Sequence, residues 1–343
     1  MAGFETLGQN LWPVAFPLGL DLFLWLGPQL SVAPLIEWFI SVSKVTQSSS
    51  YDPQLGEVLE QFAERFNLFS LLDAVPFLSV PALLSQHAPG AVSPLGQRAA
   101  LPVGNALVLI AWAIVLIPIG LVLGSMYLNA LASSVHATRG GVPPPLTLVA
   151  AARQAKDGAT EEPAEKNTGT PQRNEIATVA LNTVLKLIRA LTFSGIVVAF
   201  GMLLFPIWVF VIGLAMSIAE ILGLVLWGLS VGVTGFIVLH LLFVVHGVLL
   251  GERRLLRAIV ESIALIRFNF ASSAGLVILG VLIYQGMGYI WSLPEGNSWL
   301  LLLGILCNSG IATALITATF IFYQERIVQL PGVGGGVSAW GRG

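Results

Sequence analysis

Four polar residues set within or at the ends of long apolar runs carry whatever chemistry this chain could do inside a membrane: His240, Asn308, Asp21 and Glu220. An ionisable group buried in lipid is costly to desolvate, so each is by default a candidate for proton or ligand handling. By helical rise, His240 lies ~15 Å from one end of its apolar run and Asn308 ~15 Å from the end of its own, which places both near a bilayer midplane. Interhelical hydrogen bonds are common glue between membrane helices, so a neutral His240 is expected to bond to Asn308 or to a backbone carbonyl. Asp21 is expected near the outer surface and Glu220 at the outer turn between two spans, each as a solvated or interfacial carboxylate.

Other motifs weaken when their setting is considered. Gly228-Leu-Ser-Val-Gly232 matches G-x-S-x-G, but it sits inside an apolar run and not at a strand-to-helix elbow. His240 and His246 would lie on the same helix as Ser230, ~15 and ~24 Å along its axis, too far for a nucleophile and its base. The sequence has no HExxH, no Walker lysine loop and no Cys/His pair at zinc spacing. No catalytic residue, cofactor site or metal site is therefore expected, and the chain reads as a non-enzyme. Gly228 and Gly232, with Gly120-x3-Gly124, are expected to be close-packing faces between helices.

The elements that would position these residues are membrane spans. The chain is 56% hydrophobic and 10% charged, against ~25% charged in an average soluble domain, with a mean hydropathy of +0.85. From Leu191 to Leu250, Glu220 is the only Asp, Glu, Lys or Arg, and a crossing of ~30 Å needs about 20 apolar residues, so this stretch holds two crossings and a turn. Six spans are expected in an all-α integral membrane protein: Leu11–Leu26, broken by prolines; Val103–Leu128; Leu191–Ser217; Ile221–Leu249; Ala271–Trp291; and Ser298–Phe322. The last two are joined by SLPEGN, whose Pro294, Gly296 and Asn297 suit a tight reversal. The N-terminal segment lacks Lys and Arg and contains Asp21, so it reads as a retained helix and not as a cleaved signal peptide. The single cysteine, Cys307, cannot form an internal disulfide.

Thirteen of the sixteen Lys and Arg residues fall between spans two and three, between spans four and five, or after span six. Short cytoplasmic loops carry the positive excess, so both termini are expected in the cytoplasm of a bacterial inner-membrane protein, with Trp291 and Trp299 flanking the last external turn. A net charge of -2 and the lack of a basic stripe with interleaved aromatics give no sign of nucleic acid.

The whole chain, residues 1–343, reads as one polytopic membrane domain with four distinctive segments. Residues 27–102 form an external helical loop, in which Leu55, Val58, Phe62, Phe66 and Phe69 oppose Glu57, Glu60 and Glu64 on an amphipathic helix, and PFLSVPALL dips toward the interface. Residues 138–174, rich in charge, Pro, Gly and Thr, have the composition of a disordered cytoplasmic insertion. Residues 252–269 form a cytoplasmic amphipathic helix, with Arg253, Arg254, Arg257, Glu261 and Ser262 opposing Leu255, Leu256, Ile259, Ile263 and Ile266. Residues 331–343 form a flexible tail. A second cytoplasmic helix, Asn174–Leu191, ends in Leu187-Ile188-Arg189 with Ser194 following, as Leu265-Ile266-Arg267 is followed by Ser272. Either a unit of amphipathic helix plus hairpin occurs twice, or helices lying on a cytoplasmic surface converge on this pattern.

The segment ERRLLRAIVESIALIRFNFASSAGLVILGVLI, through Ser262, Arg267, Asn269 and Phe270, resembles an element of uncharacterised polytopic bacterial membrane proteins. The same element occurs in the membrane domain fused to some glycerophosphodiester phosphodiesterases, and FIFYQER (Phe320–Arg326) resembles that family's last helix end. The likeness covers about the C-terminal 100 residues and implies a fold. It implies no catalysis, because the soluble phosphodiesterase domain is absent. The leading expectation is a scaffold or accessory subunit of a membrane complex, with the lipid bilayer and a membrane or cytoplasmic protein as partners. The alternative is a transporter or permease component moving a small or lipid-like substrate, to which repeated hairpins are suited.

Overall fold

The computed structural model describes residues 2–46, 53–75, 77–87, 92–138, 173–251 and 254–330. Nearly all of the expected insertion at 138–174, and the whole tail at 331–343, lie outside these described residues. Among the described residues the chain is mostly helical, and five helices are long and apolar enough to cross a membrane. They are α6 (Ala106–Thr138), α7 (Arg173–Ile218), α8 (Glu220–Leu241) continued by α9 (Val244–Gly251), α11 (Phe270–Trp291) and α12 (Leu300–Ile327). The expected first span is shorter: a 3-10 turn, Trp12–Val14, runs into α2 (Ala15–Leu26), about 22 Å in all by helical rise and less than the ~30 Å of hydrocarbon. The remaining helices are α1 (Ala2–Gln9), α3 (Ala33–Thr46), α4 (Pro53–Arg65), α5 (Leu83–Gln86) and α10 (Leu255–Phe268).

The residues divide into two compact units, Gly3–Tyr127 with Gly275–Ile316, and Leu128–Ala274 with the chain from Thr317 onward. In the first unit, β1 (Gln29–Ser31) pairs in parallel with β4 (Ala100–Pro102), while β2 (Val92–Ser93) and β3 (Gly96–Gln97) make a small hairpin around Gly96, whose φ of +109° favours glycine. Buried Arg98 donates to the Leu24 carbonyl at 2.6 Å and to Gln29 Oε1 at 3.4 Å, and Asn67 Oδ1 accepts from the Leu30 N–H at 3.0 Å. These bonds tie the described part of this segment to the end of α2.

Part of that segment packs closely against a candidate span. The backbone around Leu72 and Leu78 lies against α6 at Gly120 and Gly124. Gly120 is about 21 Å along the helix from Ala106. A Cβ on Gly120 would stand 2.5 Å from the Leu72 carbonyl oxygen, and one on Gly124 would overlap the Leu78 carbonyl. The expected helix-to-helix face is therefore a helix-to-loop face, on which glycine admits a non-helical backbone. Phe77, with φ +67°, turns that backbone in a conformation that bulky residues rarely adopt.

In the second unit, the expected cytoplasmic helix at 174–191 and the third span form one continuous helix, α7. The corresponding pair α10 and α11 is interrupted at Asn269, so the two proposed copies differ where they should match. Ser194 is buried, whereas Ser272 is exposed. On α10 the faces also differ from expectation: Ala258, Glu261, Ser262, Leu265 and Ile266 are buried, while Leu256, Val260 and Ile263 point outward. On the buried face Ser262 donates to the His240 carbonyl, while Glu261 accepts from Arg257 one turn earlier on the same helix.

Candidate functional site

Backbone N–H groups buried away from water need acceptors within the protein. In the first unit that task falls to two carboxylates from different parts of the chain. Asp21, fully buried in α2, accepts the Leu83 N–H at 3.0 Å on Oδ2 and the Leu84 N–H at 2.8 Å on Oδ1. Asp73, just after the 3-10 turn Leu68–Leu72, accepts the Ala82 N–H at 3.4 Å and the Ser85 hydroxyl at 2.5 Å on Oδ2. These are N–H groups at the start of α5, which have no acceptor within the helix.

Beside this clamp is a chain of hydroxyls: Tyr127 donates to Thr313 Oγ1 at 3.2 Å, and Thr313 donates to the Ser309 carbonyl at 2.6 Å. Tyr284 lies within electrostatic reach of Asp73 and Asp21. Its hydroxyl and the Asn308 carboxamide approach one another without reaching hydrogen-bond geometry, which leaves both Asn308 polar atoms buried and unpartnered. Ser85 donates to Asp73 and to the Ala82 carbonyl, so its hydroxyl is held as a donor and is not presented as a nucleophile. Among the described residues, no three His, Cys, Asp or Glu side chains are grouped so as to hold a metal.

The structure disperses the residues singled out in the sequence. Asn308 belongs to the first unit with Asp21. His240 belongs to the second, where its Nδ1 meets the Phe236 carbonyl one turn back at 2.8 Å. Glu220 is exposed at the first position of α8. Asp21 departs most from expectation: the solvated carboxylate is a buried acceptor for two backbone N–H groups. Ser230 donates to the Leu226 carbonyl of its own helix at 2.7 Å, so its hydroxyl is engaged within α8. The family-like residues mark a break: Ser262 donates to the His240 carbonyl at 2.6 Å, next to the turn between α8 and α9. Asn269 closes α10, donating from its backbone to the Leu265 and Ile266 carbonyls, while Arg267 and Phe270 are exposed.

Sequence reasoning missed Asp73, Ser85, Tyr127, Tyr284 and His246. His246 is buried, with Nε2 2.8 Å from Thr319 Oγ1. One signal was available for Asp73: it is the only charged residue between Arg65 and Arg98. A lone carboxylate in so apolar a stretch needs donors.

A third feature is an uncovered face. Gly228, Gly232 and Gly235 lie within about 60° of one another around α8, and a Cβ on any of them would meet nothing within 4 Å. Gly223, Leu226 and Ser230, the less exposed positions of this stretch, lie on the opposite side, and Gly223 packs against Met216 of α7. No known protein family, curated protein or solved structure matches the chain.

Proposed function

We propose that this is a non-enzymatic, multi-pass integral membrane protein that works by association, as a scaffold or accessory subunit of a membrane complex. The observation that carries the reading is the glycine face of α8, turned away from α7 and left uncovered by the described residues. Glycine costs about 1 kcal/mol of helix propensity against alanine and offers lipid little to contact. In membrane helices, small residues offset that cost by letting another helix approach closely. The occupant is a partner helix from another membrane protein. Affinity purification of the full chain in mild detergent, wild type beside Gly232→Leu, tests this. A membrane subunit that co-purifies with wild type and is lost from the variant is the expected result; an unchanged set of co-purifying proteins refutes it.

The proposed setting is the bacterial inner membrane with both termini cytoplasmic. Beyond the distribution of Lys and Arg, contacts of α2 support it. Trp25 stacks edge-on with Trp299 at 5.7 Å by the α11–α12 turn, and Phe16 meets Tyr127 at 5.9 Å. Tyr127 in turn bonds Thr313, about 20 Å along α12 from Leu300. The Trp12–Leu26 segment therefore reaches most of the way across and acts as a sixth, tilted crossing. Cysteine labelling should reach position 295 from outside and position 3 only from inside; external labelling at position 3 would refute this orientation.

A second reading, a transporter or permease component, draws on Asn308, whose polar atoms are buried without partners beside Tyr284 and the two carboxylates. Uptake by proteoliposomes that is abolished by Asn308→Leu with the fold intact would favour it over association.

A further inference from the structure

The first unit contains a cavity of about 680 Å³ that neither the glycine face nor the carboxylate clamp uses. One wall is a single face of α4, where Val58, Gln61, Phe62 and Arg65 follow the i, i+3, i+4, i+7 spacing of a helix stripe. Glu57, Glu60 and Glu64 fall on the other side of α4, about 100° or more around from the centre of that stripe. The acidic helix thus turns its one cation, and not its carboxylates, toward the cavity.

The opposite wall is His87 and the α11–α12 turn, including Ser292 and Leu301. His87 Nδ1 is buried and has no partner, and its ring lies 3.7 Å from where a Cβ on Gly288 would stand. Among the described residues, no carboxylate pairs with Arg65. Phe62 and Phe66, stacked at 4.9 Å, supply an apolar surface beside these donors, and Phe62 is half exposed.

The depth of the cavity identifies its occupant. Trp291 ends α11 and Leu300 begins α12, so the turn between them lies where two spans leave the hydrocarbon, at headgroup level. A site there with an unpaired guanidinium, a second donor and an aromatic shelf matches a molecule with an anionic head and an apolar tail. We propose that this cavity binds an anionic lipid of the leaflet facing the α11–α12 turn, with the head anion on Arg65 and His87 and an acyl chain over Phe62 and Phe66. Arg suits this role because its planar fork meets phosphate or carboxylate oxygens in pairs.

The full chain in a non-ionic detergent is titrated with fluorescently labelled phosphatidylglycerol and, in parallel, with phosphatidylcholine carrying the same label and chains. A charge-assisted bond at such a site is worth ten-fold or more in affinity, roughly. Wild type should accordingly prefer phosphatidylglycerol by that factor. Arg65→Gln should reduce phosphatidylglycerol binding to the phosphatidylcholine level, Arg65→Lys should retain part of the preference, and Glu57→Gln on the other face should leave it unchanged. Equal binding of the two lipids by wild type would overturn the proposal even if Arg65→Gln failed to fold. So would phosphatidylglycerol binding by a folded Arg65→Gln that equals wild type. Displacement of the lipid by inorganic phosphate at similar concentration would also overturn it, by making the site one for a free anion.

Discussion

Asp21 and Asp73 hold the same short turn from two sides: Asp21 accepts the N–H groups of Leu83 and Leu84, while Asp73 accepts that of Ala82 and the hydroxyl of Ser85. The loop they hold runs past Gly120 and Gly124 of α6, where the backbone lies against the helix and water has little access. The pair therefore does for this loop what helical hydrogen bonds do for a span.

Replacing Asp21 with Asn leaves one amide oxygen for two N–H donors, and the amide NH2 then faces the second donor. The expected loss is about 1–3 kcal/mol, with a larger loss for Asp21→Leu, which leaves both donors unmet. Thermal unfolding in detergent, measured for both variants, checks the order; a wild-type midpoint for Asp21→Leu would show that the turn does not depend on this carboxylate.

The glycines fall into two classes that one substitution separates. Gly124→Ala would overlap the Leu78 carbonyl, a backbone atom that cannot move aside cheaply, and should cost roughly 1–3 kcal/mol or more. Gly228→Ala meets open space within the chain and should leave the melting temperature at or above wild type, since alanine is the better helix former. Equal melting of both variants would remove the distinction.

His240 and His246 should also part company. His240 bonds a carbonyl of its own helix, so His240→Leu should change stability by about 0.5 kcal/mol or less, whereas His246→Leu loses the bond to Thr319 and should cost about 0.6–1.7 kcal/mol. Comparing the unfolding of the two variants checks this; a larger effect at His240 would contradict the geometry.

Five of the six expected spans were legible because a long run with almost no charge has one physical solution in water and lipid, and the amphipathic spacing around Val58 and Phe62 fell on α4, which ends at Arg65, before Phe66 and Phe69. The break between α11 and α12 at SLPEGN was legible too, since proline and glycine stop a helix wherever they fall together. The interior of the first unit was not legible. Asp21 and Asp73 are far apart in sequence, and no local pattern announces that both meet one turn. The Gly120-x3-Gly124 spacing signals close approach without saying whether a helix or a loop approaches. Faces were harder still, as on α10, where Leu256 and Val260 are exposed while Glu261 and Ser262 are buried.

The association reading rests on one face of one helix. A photo-crosslinking amino acid placed at Gly232, and separately at Ser230 on the side opposite the glycines, reads that face directly in intact membranes. The account predicts a discrete protein adduct of fixed mass from position 232 and none from position 230. Lipid adducts alone at position 232, or the same protein adducts from both positions, would contradict it.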